Sequence, residues 1–443
     1  MLTDDQKNAS AAIAEWRNRP EPKPFLLEGG AGVGKTFLLS SEIRTAQQRG
    51  SVVCCAPTHK AINVLRQKLS AAGIEWTRGY DPETHNGQVI TGTTAALLGI
   101  APVISEDQDK EVKFGKSGSG LLKKMIPSTL FIDEVSMVPL SAMMDLARTA
   151  RMSGMRIVIV GDAAQLPPVK QKAIPFASFE NRYTLRQIVR QAEGSAIVAA
   201  AWAIRDGKNW REVTGPGLER APKLGAAYLE RIVAPGRTRE EERSVFISYR
   251  NARVGAVNDA ACRKLYGHGA GEFAAGELVI SQSNLYRGRS LLVANQDELV
   301  VEEFDPAAKD PVLGVPVQLW RLSAPHGRIW TYYLSPEDRA RADHPYNLEL
   351  EHRLQRAQGL QADYSTRHQR HVDKERREAW RSYFEWRDAT LISFSHPFAI
   401  TSHKSQGSTY REVFADVTDL ASHSQQSLYV AVTRPKENLV IPG

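Results

Sequence analysis

The 443-residue chain has little cysteine: three residues, Cys54, Cys55 and Cys262. Three thiols cannot build a disulfide framework, and their spacing fits no metal-binding pattern. A reducing cytoplasm is therefore the expected location, with Cys54 and Cys55 inside a strand. Long hydrophobic runs are missing too. None approaches the roughly 20 apolar residues of a membrane span, so no membrane partner is expected. The start, Met1-Leu2-Thr3-Asp4-Asp5, is acidic rather than signal-like. No internal repeat is visible by identity. Acidic residues are in deficit, 50 Asp and Glu against 57 Lys and Arg, and the net charge of +7 leans towards a polyanionic partner. A composition of 42% hydrophobic and 24% charged residues is that of a globular protein, and the length suggests about two or three domains.

What is present is a glycine loop. Gly29-Gly30-Ala31-Gly32-Val33-Gly34-Lys35-Thr36 fits G-x-x-x-x-G-K-[ST] without a mismatch. Pro24 to Glu28 reads as a buried strand before it, and a helix-spaced run from Thr36 towards Gly50 follows. Glycines such as Gly32 and Gly34 let backbone N–H groups curl around phosphate oxygens, and the helix N-terminus adds its positive dipole end. In such a loop Lys35 reaches the β- and γ-phosphates and Thr36 holds Mg²⁺, so ATP and Mg²⁺ are the expected cofactors. Upstream, Thr3 and Gln6 have capping-box spacing. Gln6 either bonds back to the Thr3 N–H or reads adenine through its amide.

Further along, Ser51 to Ala56 is a second buried strand running into Pro57-Thr58-His59-Lys60 and a helix from Ala61 to Leu69. His59 caps that helix or contacts a ligand at the strand's carboxyl end. Thr129 to Ile132 is an apolar strand ending in Asp133-Glu134, the second half of an NTPase site. Asp133 is expected to hold Mg²⁺ through water, and Glu134 to polarise the attacking water. Arg156 to Asp162 is another buried strand, whose exit puts Gln165 within reach of a γ-phosphate. Leu185 to Gln191 is read as helical and as the way out of the first α/β domain. Two short β-like runs, Pro102 to Ser105 and Glu111 to Phe114, flank an acidic turn and suggest an inserted β-hairpin, with a surface loop as the alternative. A second α/β unit begins at Ser244 and is interrupted between Tyr266 and Phe394. Residues 277–334 suggest a small antiparallel barrel, and 347–388 a helical hairpin whose aromatic stripe packs on it.

The phosphate loop, Pro57-Thr58-His59-Lys60-Ala61, Asp133-Glu134, Gly161-Asp162-x-x-Gln165-Leu166-Pro167-Pro168, Ser405-Gln406-Gly407 and Tyr429-Val430-Ala431-Val432-Thr433-Arg434 occur in this order. That ordered set resembles superfamily 1 DNA helicases, most closely the Dda/RecD-like branch that moves 5′→3′. The resemblance implies an α/β fold of two RecA-like P-loop domains with an inserted β-hairpin (pin) and an inserted small β-barrel plus helical tower. The boundaries then expected are 1–98 and 122–190 for the first domain, 99–121 for the pin, 191–265 and 395–443 for the second domain, and 266–394 for the SH3-like barrel and tower.

It also implies adenine recognition by Gln6, γ-phosphate sensing by Gln165, and arginines at Arg190 and Arg434 that stabilise the transition state. Pro57, Thr58, His59, Thr93, Thr94, Thr401, His403 and Ser405 resemble the residues that line a single-stranded DNA track, where hydroxyls suit sequence-blind phosphate contacts. The acidic turn of the hairpin has no aromatic at its apex, and Phe114 is the substitute for strand separation. The implied activity is ATP-dependent DNA unwinding by a monomer in replication or repair, acting on single strands and duplex junctions. A single-strand-binding or replisome protein is a further candidate partner. A translocase that strips proteins from single strands, and a nucleotide-switched binding module, are the alternatives.

Overall fold

The computed structural model describes residues 2–20, 23–78, 87–103, 113–116, 128–189, 194–235, 239–287, 290–309, 316–324, 327–333, 345–367, 370–390 and 393–443. It divides into two units. The first comprises Met1–Leu224, Glu240–Asn251 and Ile400–Gly443, and the second comprises Gly225–Arg239 and Ala252–Ala399. Among the described residues no helix is long and apolar enough to cross a membrane.

The first unit is built on a parallel sheet. Its strands are β1 (Phe25–Gly29), β2 (Val52–Ala56), β3 (Val89–Thr93), β6 (Thr129–Ile132), β7 (Arg156–Gly161) and β8 (Asn181–Leu185), in the order β3-β2-β6-β7-β1-β8. Strand β1 runs parallel to β7, with Phe25 opposite Val158, and parallel to β8, with Phe25 opposite Asn181. Both sheet faces are covered, so the strands read as near-continuous apolar runs. One face packs with Ile13 and Trp16 of α1 (Asp4–Arg17), with Leu38 and Ile43 of α2 (Lys35–Gln47), and with Leu65 and Leu69 of α3 (His59–Ala71). The other packs against Leu146 and Met143 of the helix Leu140–Ser153. Cys54 and Cys55 point to opposite faces of β2 and are both fully buried, as the strand reading requires.

Because all six strands are parallel, their carboxyl ends share one edge. Strand order then fixes what meets there: the phosphate loop after β1, the Asp162 turn after β7, and Asp133-Glu134 after β6 lie on three adjacent strands. Thr58 after β2 and Thr93 at the end of β3 continue along the same edge. A crevice outside the carboxyl ends of parallel strands is where α/β sheets bind ligands.

One sequence expectation fails. The helix foreseen over Leu185 to Gln191 is absent from its described part. Asn181–Leu185 is β8, and the chain runs on without helix to Val189. The Asp5 carboxylate accepts from the Arg186 and Gln187 N–H groups at 2.7 and 2.9 Å, and the Val189 N–H donates to Gly32 O at 2.9 Å. A helix would bond the Val189 N–H to Leu185 O, and that amide is committed to Gly32 instead. A hairpin does form, from β4 (Ile100–Val103) and β5 (Lys113–Lys116), antiparallel with Pro102 opposite Phe114. Its arms are offset by about two residues from the expected ones, and its turn lies outside the described residues.

The first unit also holds a second sheet, whose strands follow the order Ala399–Thr401, Ser244–Ser248, Tyr410–Ala415, Pro435–Pro442 and Leu218–Ala221. The pairings from Ser244–Ser248 through to Leu218–Ala221 are parallel.

In the second unit, five strands pair in the order Gly327–Tyr333, Pro316–Ala324, Glu298–Lys309, Leu278–Ser281 and Phe394–Ser395, all antiparallel. Trp320 and Phe394 stack at 5.4 Å in its core. Helices Pro345–Arg367 and Arg370–Thr390 lie antiparallel: Arg353 sits 4.5 Å over the Trp386 ring, and Arg376 donates to Gln361 at 3.0 Å. Glu277 takes hydrogen bonds from two imidazoles, His268 at 2.6 Å and His396 at 3.0 Å. Burial alone would raise the Glu277 carboxyl, but these bonds outweigh it and hold the group below the usual range.

Candidate active site

The phosphate loop has the backbone its glycines predict. Gly32 and Gly34 adopt φ of 77° and 72°, the left-handed region that a side chain enters only at a cost. Gly34 is also packed: a Cβ there would run into the Gln6 amide. It forms the N-cap of α2 with no side-chain cap, so that helix start is free to be capped by an anion. The Lys35 ammonium donates to Gly29 O at 2.7 Å and Gly30 O at 3.0 Å.

Gln6 performs the capping role foreseen for it. Its Oε1 accepts from the Thr3 N–H at 3.0 Å while Thr3 Oγ1 accepts from the Gln6 N–H at 3.2 Å, a complete capping box. Its Nε2 donates to Val33 O at 3.1 Å and Gly34 O at 3.4 Å. At 1% exposure the side chain braces the loop from behind.

Around the loop is a cavity of about 270 Å³ whose lining includes Lys35, Thr36, Glu134, Gln165 and Arg434. With Gly32 and Gly34, seven of the residues expected at the nucleotide site therefore converge. Asp133 is adjacent, its Oδ1 accepting from the Glu134 N–H at 2.9 Å. Glu134 sits at φ 52°, an outlier for a side chain with a Cβ and the kind of strain that clusters at working sites. Burial and then the Asp133 charge push its carboxyl up, against the charges of Arg434, Lys35 and Lys68. Gln165 is 6% exposed, and its Oε1 has no hydrogen-bond partner among the described residues. Arg434 is 8% exposed and donates to three neutral oxygens: Val430 O at 3.0 Å, Ser408 O at 3.2 Å and Thr433 Oγ1 at 2.9 Å. Arg190 lies outside the described residues.

Several residues of the site were not singled out from the sequence. The Tyr429 hydroxyl donates to Asp162 Oδ2 at 2.6 Å and accepts from the Ala31 N–H at 3.0 Å. Trp202 Nε1 donates to Ala31 O at 3.2 Å, so both backbone groups of one loop residue are held. Arg205 lies 3.1 Å from Glu28 and 3.6 Å from Asp162, with its guanidinium 5.1 Å over the Trp202 ring. Burial, then Asp162, pushes the Tyr429 hydroxyl far above its ordinary value, so it stays protonated as a donor. Gln406 Nε2 donates to Leu166 O at 3.2 Å, tying Ser405-Gln406-Gly407 to the turn after β7. Tyr429, Asp162 and Gln406 were legible as members of motifs, but nothing local named their partners.

Three of the residues expected on a strand track share a local role. Thr58 caps α3 by accepting from the Ala61 N–H at 3.1 Å. Thr93 caps the short helix Thr94–Leu98 from the Ala96 N–H at 3.2 Å, and Thr401 caps Ser402–Ser405 from the Lys404 N–H at 3.3 Å. Such a cap is worth about 1 kcal/mol. Thr94 is buried and Ser405 fully so, the latter donating to Ser402 O at 2.8 Å, while Pro57 and His59 are partly exposed. His403 meets Tyr249 edge-on at 5.7 Å, and Tyr249 stacks on His423 at 3.9 Å. Burial pulls the His403 imidazole below its ordinary value. Phe114 falls on β5.

A glycine loop, an acid pair two strands away, a buried glutamine and an arginine gather at one sheet edge, the arrangement of a P-loop nucleotide site. Two family models match the chain, the AAA domain over residues 1–215 and the UvrD-like helicase C-terminal domain over residues 396–441. An uncharacterized protein of Acanthamoeba polyphaga mimivirus is 22% identical over 504 aligned residues, covering 99% of each chain. The ATP-dependent RecD2 DNA helicase of Deinococcus radiodurans is 28% identical over 188 residues, which are 41% of this chain and 22% of that protein. The fold resembles that of a Bacteroides Pif1 helicase solved with ADP-AlF3 and ssDNA, at a TM-score of 0.52 and 18% identity over 100% of this chain and 92% of that one. Together these matches make the chain similar to RecD-like helicases in part of its sequence and to a Pif1 helicase in its fold.

Proposed function

We propose that the protein is an ATP-driven motor that moves 5′→3′ along single-stranded DNA and separates duplex DNA. The observation that carries the reading is the cavity lined together by Lys35, Thr36, Glu134, Gln165 and Arg434. Lys35 holds the β- and γ-phosphates, Gln165 reports the γ-phosphate, and Arg434, with Arg190, offsets charge that develops there. An arginine in that role is worth about 10³–10⁵ in rate in related NTPases. Gln6, whose amide braces the loop, is the proposed reader of adenine. Thr36 and Asp133 suit Mg²⁺: Thr36 Oγ1 accepts from a cation, Lys68 Nζ, at 3.1 Å, Glu134 lines the same cavity, and Asp133 is bonded to the Glu134 N–H. Mg²⁺ bound there would offset phosphate charge. Glu134 accepts the proton of the attacking water.

Pro57, Thr58, His59, Thr93, Thr94, Thr401, His403 and Ser405, with the backbone around them, position the strand through its phosphates, so binding is sequence-blind. The two parallel sheets are read as the two RecA-like domains, the β4–β5 hairpin with Phe114 as the pin, and residues 266–394 as barrel and tower. The function is tested by ATPase assay with and without single-stranded DNA at two salt concentrations. Stimulation that weakens with salt is expected, and a rate indifferent to DNA would point to a nucleotide-switched module instead.

A further inference from the structure

Lys68 occupies a place that no sequence motif assigns. It stands in the last turn of α3, exposed, with its ammonium 3.1 Å from the hydroxyl of Thr36. It lines the same cavity as Lys35, Glu134 and Arg434, and its charge acts on the Glu134 carboxyl. A hydrogen bond from an exposed ammonium to a neutral hydroxyl is a weak tether, and the four-carbon stem is free to turn. A phosphate oxygen is a far stronger partner for an ammonium than a hydroxyl.

We propose that Lys68 is a further phosphate-binding residue, parked on Thr36 until a nucleoside triphosphate enters. Thr36, if it held Mg²⁺, would keep the Lys68 ammonium against the same oxygen only at the cost of like-charge repulsion, so Lys68 would turn away. The terminal phosphate is the anion the displaced ammonium meets in that cavity. With a diphosphate that partner is missing, so Lys68 favours ATP over ADP. Helix α3 thereby joins Thr58 and His59, proposed to touch the strand, to a charge that senses the nucleotide state. The inference rests on the proposed nucleotide site.

The test is equilibrium binding, by fluorescence, of the non-hydrolysable β,γ-imido analogue of ATP and of ADP, both with saturating Mg²⁺. Lys68→Met keeps an unbranched stem of nearly the same length and removes its charge. It is expected to weaken the triphosphate about tenfold and leave ADP within about twofold of the parent. Lys68→Arg is expected to restore most of the triphosphate affinity. Equal loss for both nucleotides, or no loss for either, would overturn the assignment. Failure of the unaltered protein to bind either nucleotide would instead overturn the nucleotide site itself, as would retention of binding by Lys35→Ala.

Discussion

The Tyr429 hydroxyl lies 2.6 Å from Asp162 Oδ2 and 3.0 Å from the Ala31 N–H, so one phenol joins the C-terminal helix Gln425–Val432, the β7 turn and the phosphate loop. With Trp202 on Ala31 O, it fixes the first half of the loop before any nucleotide arrives. Preorganisation of that kind lowers the ordering cost of binding.

Tyr429→Phe therefore tests the clamp with the ring kept in place. It strands the Ala31 N–H and removes a donor from buried Asp162, which costs about 1–3 kcal/mol. Nucleotide titration is expected to show ATP binding weakened by about tenfold, with a lower Tm. Parent affinity in a variant of reduced Tm would make the contact a prop for the fold and nothing more.

As the proposed base, Glu134 would link turnover to pH. Burial and Asp133 raise its carboxyl, and it must be ionised to take a proton from water. Turnover should fall as pH drops, from a pH above the usual carboxylate range, while ATP binding persists. Glu134→Gln should bind ATP and DNA yet lose turnover, and substantial residual ATPase would remove Glu134 as the base.

The same shift has a consequence for stability. A carboxyl raised in the folded state binds its proton more tightly there than in the unfolded chain. Stability is then lost as pH rises from the unfolded value of about 4.3 through the folded one. Glu134→Gln should accordingly melt higher than the parent at pH 7 and about level with it near pH 4, a site residue held at a cost to the fold. Equal Tm shifts at both pH values would contradict this.

Away from the site, Arg17 and Glu42 form a buried pair at 2.8 Å that ties α1 to α2. Ser10 also donates to Glu42, at 2.5 Å. Glu42→Ala leaves the guanidinium buried without its carboxylate, and denaturant unfolding should report a loss of about 3–5 kcal/mol. A loss under about 1 kcal/mol would mean that the pair is solvated in practice.

The residues legible in the sequence are those whose chemistry is local. The phosphate loop, Asp133-Glu134 and Gln165 each follow an apolar strand within a few positions, and the parallel strand order brings them to one edge. Gln6 was readable as a cap because its partner is three residues away. Tyr429 was not readable as a clamp, since Asp162 stands 267 positions earlier and Ala31 398. Lys68 carries no motif at all. The helix foreseen at Leu185 to Gln191 has the right apolar spacing, yet Leu185 pairs with Gly29 in the sheet, and the Val189 N–H that a helix would bond to Leu185 O goes to Gly32 O. Long-range hydrogen bonds override local spacing there, and spacing is all that a single sequence displays.

The central claim is directional unwinding, and two partial duplexes test it, one with a 5′ single-stranded tail and one with a 3′ tail, each with and without ATP. ATP-dependent unwinding from the 5′ tail alone is the predicted result. Unwinding from the 3′ tail would contradict the direction. ATPase stimulated by single strands with no unwinding of either substrate would contradict strand separation and leave a translocase.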